Sequence, residues 1–293
     1  MGDRSMVNDL RAYASDLRAW FATVNQPLHA YALIDLANLH HQPAKALQLI
    51  RARSGRSILQ DDRDQAALAS PWLVSLTCDD IGRAMLEQTL VWAGQSACVT
   101  WLESSLSLDE FAQRLHERTK AELPDAYSVL LRFYDPRVLP ELHAVLGDDS
   151  TGFFKTLGRT WVYVGRDQCV RSIKLSGESE EDGFSPPLHL DAVQFAALLA
   201  ASEVDSVMPE LAREAPEGFM ALPPERRAVL TRRCLALADD WHLQAFAHRV
   251  MVGVLALKLG EDFYQQPAWV PWIEQLRQGK INLIQAIERA TTP

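Results

Sequence analysis

The chain has 293 residues, 48% hydrophobic and 23% charged, enough to bury one large core or, more in keeping with its length, two. A formal net charge of −9 argues against nucleic acid as a partner, because phosphates call for a basic surface. The four cysteines, Cys78, Cys98, Cys169 and Cys234, are scattered without a C-x-x-C pair and give no sign of a zinc site or a disulfide framework. Three of them stand in or beside expected strands, where a reduced thiol serves as a small apolar filler.

In chain order, Leu10, Tyr13, Ala14, Leu17, Trp20, Phe21 and Val24 recur at spacings of three and four, predicting a helix over 6–24 that ends at Gln26-Pro27. Ala30–Leu36 reads as a first strand and Trp72–Thr77, introduced by Pro71, as a second; the stretch between them, with the arginine-rich run Arg51 to Asp64, stays unassigned. Asp79 or Asp80 caps a helix through Ile81, Met85 and Trp92 that stops at Gly94, and Ala97–Leu102 is a third strand. Ser107-Leu108-Asp109-Glu110 is a capping box, with Leu106 and Phe111 as its staple, opening a helix to about Glu122. Tyr127–Tyr134 is expected as a fourth, central strand. A short helix with Val138, Leu142 and Val145 follows, then a hairpin of Trp161–Val164 and Cys169–Leu175 turning at Gly165-Arg166-Asp167.

Strands alternating with helices predict an α/β lobe over 1–175: a largely parallel sheet with flanking helices and a terminal antiparallel hairpin. Residues 176–187 are acidic and turn-rich and read as a linker or mobile loop. Residues 188–293 predict an all-helical lobe, with helices over Asp191–Ser202, Pro224–Ala238 and Trp241–Leu259 and shorter ones near Val270–Gln278 and Ile281–Arg289. The first ten residues hold no signal-peptide core, and Met251–Leu257 is far short of the roughly 20 residues a membrane helix needs. A soluble, cytoplasmic protein is expected.

The candidate functional residues cluster at Arg132-Phe133-Tyr134-Asp135-Pro136-Arg137, with Asp35 at the end of the first strand. Two arginines, two carboxylates and a phenol gather there without an accompanying nucleophile, metal motif or phosphate loop. No cofactor or metal is expected. Gly94-Gln95-Ser96-Ala97-Cys98 approaches a nucleophile elbow but ends in cysteine and runs from helix to strand, the reverse of that motif. His40-His41, His242 and His248 lack ligand spacing, and the acidic run Glu178–Asp182 reads first as a solvated loop. Internal pairing of Arg132 or Arg137 with Asp35 or Asp135 competes with direct contact to a partner. Trp269 and Trp272, beside Pro267 and Pro271, are the other candidates for a protein contact.

Tyr31-Ala32-Leu33-Ile34-Asp35, Pro71-Trp72-Leu73-Val74-Ser75-Leu76, Trp101-Leu102-Glu103-Ser104 and Leu131 through Leu139 (LRFYDPRVL) occur in an order and spacing that resemble the adaptor or chaperone family of bacterial type VI secretion, catalogued as domain of unknown function 4123. The resemblance covers about residues 28–165. It implies a protein that is no enzyme, binds a cognate toxic effector in the cytoplasm and assists its loading onto the VgrG spike, with neither nucleic acid nor membrane as partner. From other classes, an α/β hydrolase or transferase with an unorthodox site, or an immunity protein that neutralises the toxin, stand as alternatives.

Overall fold

A computed structural model describes residues 4–24, 28–60, 63–147, 152–177 and 181–291. The chain divides into two compact units, Met1–Leu199 and Ala200–Pro293.

The first unit is built on a six-stranded sheet. Its strands are β1 (His29–Asp35), β2 (Arg56–Ser57), β3 (Pro71–Leu76), β4 (Val99–Ser104), β7 (Gly158–Val164) and β8 (Val170–Gly177), in the order β2-β3-β1-β4-β7-β8. A second sheet holds β5 (Lys120–Glu122), β6 (Ser128–Leu130) and β9 (Leu188–His189), in the order β6-β5-β9. Helix α1 (Arg4–Thr23) precedes β1, and α2 (Pro43–Ala52), α3 (Asp64–Ala69), α4 (Asp80–Gln95), α5 (Leu108–Glu117) and α6 (Leu139–Leu146) lie between the strands in sequence. The Gln26-Pro27 stop expected for the first helix falls outside the described residues, as do the side chains of Leu10 and Tyr13.

The large sheet is antiparallel at every pairing, which overturns the expected parallel sheet. Among the described residues only β5 and β9, in the small sheet, run parallel. Two physical facts account for the difference. β1 pairs antiparallel with both β3 and β4, so those two strands run in one direction on either side of it. The helix α4 between them does make a crossover, but to a strand that is not a neighbour. The sheet is also buried on both faces. Ala30, Ala32, Ile34, Trp72, Val74 and Trp101 meet Leu17, Leu47, Ile50 and Leu86 of the helices on one side. Tyr31, Leu33, Leu73, Leu102 and Trp161 meet Phe111, Leu115, Phe133 and Leu142 on the other. Two-sided burial erases the polar alternation of an antiparallel strand and leaves the continuous apolar run usual in parallel ones.

Local signals fared better. Ser107 and Glu110 form the full capping box, and Asp79 caps α4 by accepting from Gly82 N at 2.8 Å. The hairpin of β7 and β8 closes where expected, with Gly165 N donating to Cys169 O at 2.9 Å. The helix after the capping box stops at Glu117, however, because the chain turns inward at Arg118 and continues as β5. The expected fourth central strand reduces to Ser128–Leu130 at the rim of the small sheet. Phe133 and Tyr134 are consecutive and both buried, a pattern that a turn satisfies and a strand with alternating faces does not.

In the first unit, the acidic stretch expected as a linker carries the end of β8 and the buried Phe184 and leads directly into β9. Helix α7 (Ala192–Glu214) carries the division between the units. The second unit is helical, with α8 (Pro216–Ala221), α9 (Pro224–Asp240), α10 (Phe246–Leu259), α11 (Val270–Arg277) and α12 (Leu283–Thr291). Its core includes Trp241, Val252, Phe263, Trp269 and Leu283. Arg249, almost buried, is held by Glu203, by Asp239 at 2.6 Å and by Leu243 O at 3.1 Å. Among the described residues no helix is long and apolar enough to cross a membrane.

Candidate functional site

The hexapeptide follows a three-residue edge strand and folds as turns beside the end of β1. Asp35 closes that strand. Its N–H donates to Cys98 O at 2.7 Å, and its Oδ1 accepts from Ala37 N at 3.1 Å, capping the 3-10 turn Leu36–Asn38. Arg132 Nη2 donates to Asp35 Oδ2 at 2.5 Å. Asp135 is bound still more fully. Arg137 Nε and Nη2 reach its two oxygens at 2.9 and 2.7 Å, Arg137 N adds a bond at 2.9 Å, and Asn38 Nδ2 donates to Oδ2 at 3.0 Å. Asn38 also donates to Ala97 O at 3.3 Å, so one amide ties the hexapeptide to the approach to β4. Pro136 is buried, and the Asp135 carbonyl accepts from Val138 N and Leu139 N as the chain enters α6.

Every oxygen of the two carboxylates thus has a donor inside the protein. The aspartates are buried, whereas the Arg132 and Arg137 side chains remain 40% and 35% exposed. Burial dominates at Asp35 and raises its pKa above the usual carboxylate range despite Arg132. Burial also pushes Asp135 upward, but the paired bonds from Arg137 outweigh it and hold that carboxyl below its ordinary value. The Tyr134 phenol is pushed up to about 12, first by burial and then by the Asp35 charge. Beside it, Phe133 makes edge-on contacts with Phe153 and Trp161 under the large sheet, at centroid distances of 5.6 and 5.9 Å. The arrangement is a brace, with two charged pairs that pin the sheet end to the turn while both arginine side chains stay partly exposed.

Trp269, expected at a protein contact, is buried and packs edge-on against Phe263 at 4.9 Å. A tryptophan between prolines at a helix start finds its own core there. Trp272 is half-buried with the Arg289 guanidinium 5.1 Å over its ring. Ser96 merely ends α4, its N–H bonded to Trp92 O. Of the cysteines read as fillers, Cys98 is buried and its thiol pushed up to about 12, while Cys78 and Cys169 are exposed.

Sequence reasoning missed a second brace. Arg118 is fully buried and donates through both Nη atoms to the oxygens of Asp182 at 2.7 Å. It also donates to Phe153 O at 2.6 Å, Arg114 O at 2.9 Å and Thr156 Oγ1 at 3.0 Å, and its guanidinium lies 4.6 Å over the Phe184 ring. Asp182 therefore belongs to the interior rather than to a solvated loop; Glu178 and Glu180 of the acidic run lie outside the described residues. Burial pushes the Asp182 carboxyl up, but the bonds from Arg118 and Thr156 bring it down to about 2. The unfolded chain, near the ordinary 3.8, takes up that proton first, so the tie contributes fully at neutral pH and is lost as pH falls from about 4 to about 2. Roughly 2 kcal/mol of stability should drain away over that window. Urea midpoints measured against pH should show this acid limb in the wild type and a flatter one in Asp182→Asn.

Among the described residues no group of three or more His, Cys, Asp or Glu is placed to hold a metal. Two clefts of about 430 and 460 Å³ lie elsewhere in the first unit, one lined by His41, Lys45 and Trp92, the other by Arg18, Phe21 and Cys78. Neither borders the hexapeptide. Searches of curated proteins and of solved structures each returned no match. Residues 30–152, from β1 through the hexapeptide and α6, match the family model described as Domain of unknown function (DUF4123).

Proposed function

We propose that this chain is an adaptor or chaperone that binds a cognate type VI secretion effector in the cytoplasm of the producing cell and assists its loading onto the VgrG spike. In this reading it makes and breaks no covalent bond. The observation that carries the proposal is the overlap of the matched segment, residues 30–152, with the motifs that resemble such adaptors, LRFYDPRVL above all. The geometry of that motif agrees with a scaffold role. Its carboxylates are consumed by internal donors, which leaves neither as a free base. A loading factor must hold its cargo and later release it, so a moderate, partly polar interface is the expected kind.

Co-expression with the effector and spike proteins encoded beside it, followed by pull-down, should recover both. Failure to retain either one would overturn the reading. Rescue of cells from the toxin without any spike complex would identify an immunity protein instead.

A further inference from the structure

The cleft of about 430 Å³ between the start of α2 and the second half of α4 has a polar rim over an apolar floor. Ala46 and Trp92, both buried, and the half-buried Leu49 make the floor. His41, Gln42, Lys45, Gln88 and Gln95 make the rim. Among the described residues, none of these five side chains has a hydrogen bond or ion pair within the chain. Gln42 is the N-cap residue of α2, with a left-handed backbone at φ 54°, yet its amide gives that helix no cap bond. The other cleft differs, since there Arg18 and Glu87 are spent on each other at 2.6 Å. Lys45 is the standing charge of the rim, and no carboxylate among the described residues lines the cleft, in a chain of net charge −9. Neither arginine nor glycine lines it, so the guanidinium fork and backbone cradle that commonly hold phosphate are missing.

We propose that this cleft binds a short peptide segment bearing a carboxylate, with the charge paired to Lys45 and the main-chain amides held by the glutamines. A glutamine amide both donates and accepts, so it answers a peptide N–H and a peptide C=O alike. Gln88 and Gln95 stand seven residues apart on one face of α4, two turns or about 10.5 Å along its axis. Three residues of extended chain advance about as far. A single small anion does not span that length, whereas a peptide laid along α4 meets both amides. The floor takes an apolar side chain from the same segment. Apolar lining with a few convergent polar groups, at this volume, is the usual make-up of a ligand cleft. A chain end and an acidic side chain offer Lys45 the same carboxylate, and two probes tell them apart. The inference does not rest on the adaptor reading.

The probes are acetyl-alanyl-leucine, with a chain-end carboxylate, and the α-amide of acetyl-alanyl-glutamate, with a side-chain one. Each is titrated into the full chain and followed by protein NMR. Saturable binding in the millimolar range is expected, as is usual for so small a ligand, and the tighter probe names the source of the carboxylate. Its uncharged counterpart, acetyl-alanyl-leucinamide or acetyl-alanyl-glutaminamide, should bind about tenfold more weakly. Lys45→Met should cost the acid the same factor and leave the uncharged counterpart unchanged, which ties that charge to that side chain. Gln88→Leu/Gln95→Leu should weaken the acid but not hexanoate, which has a carboxylate and no amide. Arg83→Met, in the other cleft, should change nothing. No saturable binding of either acid to the wild type overturns the proposal. So does equal binding of acid and uncharged counterpart, or inorganic phosphate that binds more tightly than both acids.

Discussion

Asp182→Ala is expected to cost about 3–5 kcal/mol in urea unfolding, among the largest effects of any single substitution in the first unit. The reason is its partner. Arg118 has no exposed surface, so removing the carboxylate strands its charge between Phe153 and Phe184. The backbone carbonyls of Phe153 and Arg114 would still accept from it, but carbonyl dipoles do not replace a counter-charge. Replacing both members, as in Arg118→Met/Asp182→Leu, should recover much of the loss, since an apolar pair avoids the desolvation cost altogether. The exposed neighbour supplies a control, with Glu181→Ala expected within about 0.5 kcal/mol of wild type. A loss under about 1 kcal/mol for Asp182→Ala would mean that water reaches the Arg118 site.

Arg132→Ala is expected to cost about 3 kcal/mol, and Asp35→Asn only about 1. The asymmetry follows from exposure. Without Arg132 the Asp35 carboxylate, 1% exposed in the intact pair, keeps a single backbone donor, whereas Arg132, already 40% exposed, can turn to water when Asp35 loses its charge. The two variants should also differ in pH response. Burial already favours the protonated form of Asp35, and losing Arg132 favours it further. As pH falls, the stranded charge disappears, and the gap between Arg132→Ala and wild type should narrow. Denaturation at neutral and mildly acid pH decides the matter; a gap that widens on acidification would contradict this account of the pair.

Much of the local structure was legible because its causes are local. Ser107 and Glu110 are three residues apart and satisfy each other's backbone, so the box can be read directly from the letters. The same holds for the Asp79 cap and for the hairpin around Gly165. Helices α9 to α12 lie close to their expected places, whereas α7 runs past Ser202 to Glu214 and α8 was not foreseen. Sheet direction was not legible, because an apolar run reports burial and not the sense of its neighbour. The Arg118–Asp182 tie spans 64 residues and has no spacing rule to betray it. The site was half legible for the same reason. Arg137 and Asp135 are two apart, whereas Asn38 and Asp135 are 97 apart, and no pattern foretold that an asparagine would close the cluster. Trp269 was not legible as a core residue, because its place beside Pro271 marks a helix start and does not say which way the ring faces.

The place of β1 in the large sheet has a consequence for how the chain must be made. The earliest strand to leave the ribosome is the one that ends with a neighbour on each side, and those neighbours are Pro71–Leu76 and Val99–Ser104. β4 in turn waits for Gly158–Val164. Until more than half of the polypeptide has emerged, an apolar ribbon stands with unsatisfied flanks, and its long-range closure makes assembly slow and prone to clumping. Premature termination anywhere before residue 164 therefore yields sticky debris in place of a smaller folded protein.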